Sequence, residues 1–168
     1  VHAFYEAVVV LHLIAAMTWL GGMFFLVLVV VPWLRKGDRA TAARLLQETG
    51  TRFRSVGWAC FVTLLATGVM LLDFRGVDLS HFGEAWWRAG PFGSAVLWKL
   101  AVFGAILAVS AWHDFSVGPR ATRAIQADPK SAEAERLRVL ASRLGRLNVA
   151  LGLVILSLAV ILVRGWPV

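Results

Sequence analysis

Residues 11–25 read LHLIAAMTWLGGMFF, the centre of an apolar run from 7 to 34 whose one ionisable group is His12. A hydrocarbon core roughly 30 Å thick needs about 20 apolar residues in helical form. Outward from this stretch, three more runs come close to that requirement: 55–72, 95–112 and 147–163. The second holds Cys60, the third Lys99, and the fourth no charge and a single amide, Asn148; His113 stands just past the third. The pattern predicts an all-α polytopic membrane protein, a four-transmembrane-helix bundle forming a single domain over 1–168. The first run is longer than a signal-peptide core and no basic residue precedes it, so it reads as a span.

Composition agrees. Of 168 residues, 59% are hydrophobic and 16% charged, with mean hydropathy +0.73. A soluble domain carries about a quarter charged residues, so a soluble globule, a disordered chain and a disulfide scaffold are all excluded. Cys60, the single cysteine, can form neither an internal bridge nor a paired-cysteine metal site. The sequence shows no internal repeat, low-complexity tract or second domain.

The net charge of +7 is distributed unevenly. Arg35, Lys36, Arg39, Arg44, Arg52 and Arg54 face only Asp38 and Glu48 in the first connection. In the third, Arg120, Arg123, Lys130, Arg136, Arg138, Arg143 and Arg146 outnumber Asp114, Asp128, Glu133 and Glu135. The second connection is slightly acidic, with Arg75 and Arg88 against Asp73, Asp78 and Glu84. Basic loops stay cytoplasmic, which places the first and third connections inside and both termini outside. The charge then reports topology and contact with anionic lipid of the bilayer, and nucleic acid is not an expected partner.

Within the connections, Asp38 is expected to cap a short helix over 39–48 that Gly50 ends. Asp128-Pro129 opens another helix, acidic early and basic late, that continues into the fourth span. Ser80 is expected to cap a short helix carrying Trp86 and Trp87 into an interfacial aromatic belt.

An ionisable group inside a span costs about 2.5–3.5 kcal/mol on insertion scales and usually serves function. His12, Lys99 and His113 are the groups in question. Tyr5, His12 and Trp19 are spaced by seven and form one stripe on the first helix; Lys99, Ile106 and His113 do the same on the third. Residues at that spacing drift by only about 20° per heptad, so each stripe can face a bundle interior. At a rise of 1.5 Å per residue, His12 and Lys99 fall roughly 7–10 Å below the outer surface, and His113 about 28 Å below it, near Met23. Two levels follow: an outer site at His12 and Lys99, and an inner one at Met23 and His113. Lys99 as a snorkelling side chain and His113 as a solvated helix end are equally open readings. Cys60 reads as packing, and Asn148 with Gly152 as helix contacts.

The string LHLIAAMTWLGGMFF resembles the His-x-x-x-Ala-x-x-Trp-x-Gly-Gly opening of CopD-type copper resistance proteins. RFRSVGWACFVTLLATGVMLL, LWKLAVFGAILAVSAWHDFSVGPRA and RLGRLNVALGLVILSLAVILV extend the likeness through the other spans. Its specific points are His12, Trp19, Gly21, Gly22, Arg52, Thr67, Gly68, Lys99 and His113-Asp114. The resemblance implies a protein of the bacterial cytoplasmic membrane that handles copper. More distantly, the chain is similar to HemJ-type protoporphyrinogen oxidases. That likeness implies His12 as a haem b ligand and Lys99 as its partner. Where that family reads Leu-Pro-Arg-Leu-Phe-Val-Tyr-His, this chain has VLVVVPWLR, so the likeness carries a haem site rather than the oxidase activity.

Three classes of function follow. A membrane b-type cytochrome would place haem b against His12, Trp19 and Tyr5, with His12 and His113 as metal ligands and Lys99 at a propionate or the iron. A periplasmic redox protein would be its partner. Copper handling or transport would use imidazole and thioether ligands, with His2, His81, Met17 and Met70 near His12 and a copper carrier outside. Met17, however, points about 140° away from His12 on the helix. The third class is a non-catalytic subunit of a homo-oligomer or larger membrane complex. Haem b in electron transfer is the expectation, and copper the alternative.

Overall fold

The computed structural model describes residues 2–34 and 39–164. Regular structure among them is helical: α1 (His2–Phe25), α2 (Val31–Leu34), α3 (Arg39–Asp73), α4 (Ala85–Ala89), α5 (Pro91–Trp112), α6 (Gly118–Ala127) and α7 (Ala132–Arg164). Four stretches are long and apolar enough to cross a membrane: His2–Trp33, Glu48–Asp73, Pro91–Ala127 and Ala132–Arg164. The protein is therefore an all-α, multi-pass membrane protein. The second, third and fourth apolar runs lie inside these stretches, each of which outgrows its run, and the first overlaps its stretch except at Leu34. The chain divides into two compact units, Val1–His81 and Phe82–Val168.

In the first unit α1 packs against α3. Val8, Ala15, Trp19 and Met23 are the buried residues of α1, and their spacing of seven, four and four keeps them on one face. Gly57, Cys60, Phe61 and Thr67 answer from α3. Gly22 faces the Phe53 ring of α3, into which a Cβ would run. In the second unit α5 packs against α7, and α6 folds back along α7. Ile106 is fully buried, and the Asn148 amide donates to Ser110 Oγ at 2.8 Å. Asn148 is thus a helix contact, as expected, and Gly152 is buried one turn on.

The two units share a plan that residue identity conceals. Helices α1 and α5 each pass into a π-helical turn, Leu26–Val30 in one unit and His113–Val117 in the other. Pro32 and Pro119 follow, with Val31 N–H bonding Leu26 O and Gly118 N–H bonding His113 O. Proline lacks an N–H and its ring meets the carbonyl four residues back; a wider turn removes that collision. Ala95, Ile106 and Ser110 stand 87 positions after Val8, Trp19 and Met23, and all six are buried. On that offset Lys99 occupies the station of His12.

Several local expectations are corrected. No helix ends at Gly50: α3 runs unbroken from Arg39 to Asp73. An interior glycine costs about 1 kcal/mol, which a helix anchored by a packed span absorbs. The stop lies at Gly76, whose φ is 70°; Gly76 N–H bonds Asp73 O at 2.8 Å and Val77 N–H bonds Leu72 O at 3.1 Å. That left-handed turn captures the last carbonyls. Asp38, the expected cap, lies outside the described residues. Helix α7 begins three residues after Pro129, where Ser131 Oγ accepts from Ala134 N–H at 3.1 Å, and it continues into the fourth span as expected. Ser80 does not cap α4; its hydroxyl and N–H are drawn to Asp78. Of the expected belt pair, Trp86 is exposed but Trp87 is buried, with its ring against Phe82.

Candidate metal site

The stripe on α1 meets α3 rung by rung. The Tyr5 ring stands edge-on to Phe74 with centroids 5.4 Å apart. His12 Nδ1 lies 2.7 Å from Thr67 Oγ1. One further stage along, Trp19 tilts over Phe61 at 5.1 Å. As numbers rise along α1 they fall along α3, so the helices are antiparallel and heptad spacing on one matches roughly heptad spacing on the other. Placing an imidazole among apolar helices carries a cost that a buried hydroxyl partner offsets. His12 is half-buried and Thr67 is buried. Gly68 lies beside the ring: a Cβ there would stand 3.8 Å from His12 Cε1, in ordinary contact.

Met23 is buried at the far end of the same face. Met17 is 65% exposed, as its angle on the helix required, which removes it from any site with His12. His81 Nδ1 lies 3.0 Å from Asp78 Oδ1. The Ser80 hydroxyl, the His81 ring and the Ser80 N–H together hold the Asp78 carboxyl down to about 2.

In the second unit Lys99 is half-buried on the stripe that runs through Ile106. His113 Nδ1 lies 2.9 Å from Asp114 Oδ1, with the His113 side chain 35% exposed. His113 also opens the π-helical turn. The structure therefore gathers Tyr5, His12, Trp19 and Met23 on one helix face of the first unit. Lys99 and His113 lie on α5 and its continuation in the second. Among the described residues no group of three or more His, Cys, Asp or Glu is placed to hold a metal ion.

Sequence reasoning did not assign Thr67 to the site. Its signal was present: Cys60, Thr67 and Phe74 repeat at seven on α3, the same spacing as Tyr5, His12 and Trp19.

Residues 47–162 match the family model described as copper resistance protein D. The chain belongs to the CopD family. A relative from Aquifex aeolicus (strain VF5), described as an uncharacterized protein, is 32% identical over 155 residues, covering 92% of each chain. No solved structure matches this CopD-family chain.

Proposed function

We propose that this CopD-family protein handles copper at a bacterial cytoplasmic membrane, with His12 as the anchoring ligand. The observation that carries the proposal is an imidazole held inside an apolar span, on the face that packs against α3, in a chain of this family. Imidazole nitrogen is a donor that copper accepts readily. No carboxylate or thiolate cluster surrounds it among the described residues, and so incomplete a ligand set suits a metal that passes through as cargo. Tyr5 and Trp19 stand one heptad to either side of His12 on the same face, and Met23 supplies a thioether further along it. Lys99 is the corresponding polar station of the second unit, and His113 lies fourteen residues further along. Both termini and the Asp73–Glu84 connection face outward, where a copper carrier or redox protein docks.

The test is metal content of detergent-purified protein loaded with copper sulfate, wild type against His12→Ala. Loss of bound copper in the variant, with helical content unchanged, is expected. Equal copper in both proteins overturns the reading. A Soret band that appears in haem-supplied wild type and vanishes in His12→Ala would overturn it in favour of haem b and electron transfer.

A further inference from the structure

We propose that Thr67 is the positioning residue of His12, and that its hydroxyl fixes the imidazole so that Nε2 is the nitrogen presented to a metal. Thr67 Oγ1 lies 2.7 Å from His12 Nδ1 and 2.6 Å from Thr63 O. Contacts this short between electronegative atoms each need a hydrogen between them. The Thr63 carbonyl brings none, so the single hydroxyl proton of Thr67 lies on that contact. The other contact must then be closed by an N–H on His12 Nδ1. A neutral His12 therefore carries its proton on Nδ1 and its lone pair on Nε2, across the ring from Thr67.

The holder is itself rigid. Thr67 is 3% exposed, and a β-branched side chain in a helix has few χ1 rotamers. Bonding of a threonine hydroxyl to the carbonyl one turn back selects among those rotamers, so the acceptor lone pair stays aimed at α1. Thr63 donates in the same way to Ala59 O at 2.9 Å, yet only Thr67 has an imidazole opposite. Hydrogen bonding of a ligand imidazole through its other nitrogen sets tautomer and orientation, and its loss typically costs about 10–100-fold in metal affinity.

The metal-binding part of this inference rests on the copper reading of His12; the tautomer does not. Two measurements keep them apart. In metal-free protein labelled with 15N-histidine, nitrogen shifts should show His12 with its proton on Nδ1. Thr67→Val should lose that preference, and Thr67→Ser should keep it. An Nε2–H tautomer in the wild type, or no difference in Thr67→Val, overturns the proposal. The second measurement loads the same proteins with copper sulfate and reads the remote imidazole nitrogen by electron spin echo. Thr67→Val is expected to shift the remote-nitrogen quadrupole frequencies and weaken copper binding about 10–100-fold, with Thr67→Ser close to wild type. Identical frequencies and affinity in Thr67→Val overturn the positioning role while leaving copper at His12 intact. A wild type with the Nδ1–H tautomer but no imidazole-bound copper overturns the copper reading instead. Helical content and melting of each variant confirm that the fold is retained.

Discussion

Adjacent glycines at positions 21 and 22 have opposite reasons to be there. Around Gly21 a Cβ would meet nothing within 4 Å, whereas at Gly22 it would strike the Phe53 ring. Gly22→Ala is therefore expected to destabilise the first unit by about 1–3 kcal/mol, the usual cost of overpacking. Gly21→Ala should be neutral or slightly stabilising, as alanine is the better helix former. Melting of both variants in detergent checks the pair, and equal effects would contradict the close approach of α1 and α3. The sequence displays both glycines identically. Only the position of Phe53 on a different helix separates them, and no local pattern carries that information.

At the scale of the element, membrane helices associate with little hydrophobic drive between them, so small residues and interhelical hydrogen bonds take its place. The Asn148–Ser110 bond is the case in the second unit, with both residues buried. A double-mutant cycle of Asn148→Ala and Ser110→Ala should give a coupling of about 0.6–2 kcal/mol. Additive losses would mean that the two side chains act separately. The polarity of Asn148 and Ser110 was legible in the sequence, but their pairing needed the register of α5 against α7. Helix ends divide the same way. Gly50 and Gly76 are both plausible stops, yet α3 passes through the first and turns at the second. A helix ends where its last carbonyls find donors, and the geometry at Gly76 supplies them.

For the whole molecule, the asymmetry of the connections predicts an orientation. Leu79 is 89% exposed in the slightly acidic connection, and Arg123 is exposed in a basic one. In a background with Cys60 replaced by Ala, Leu79→Cys should react with an impermeant thiol reagent applied to intact spheroplasts. Arg123→Cys should react only after lysis. The reverse pattern would invert the protein and put the Tyr5 end of α1 inside.

The sequence by itself determined the class: four apolar runs long enough for a bilayer, the uneven charge of the connections between them and the heptad stripe of Tyr5, His12 and Trp19. Each follows from composition or from spacing along one helix, because burial in lipid acts on every residue of a span alike. The tertiary structure alone decided that Thr67 meets His12, that Trp87 turns inward while Trp86 does not, and that proline-linked π turns recur in both units. Those outcomes depend on which residue of one helix lies opposite which residue of another. Side-chain volume and hydrogen-bond geometry set that register across space, and spacing along a single helix does not record it.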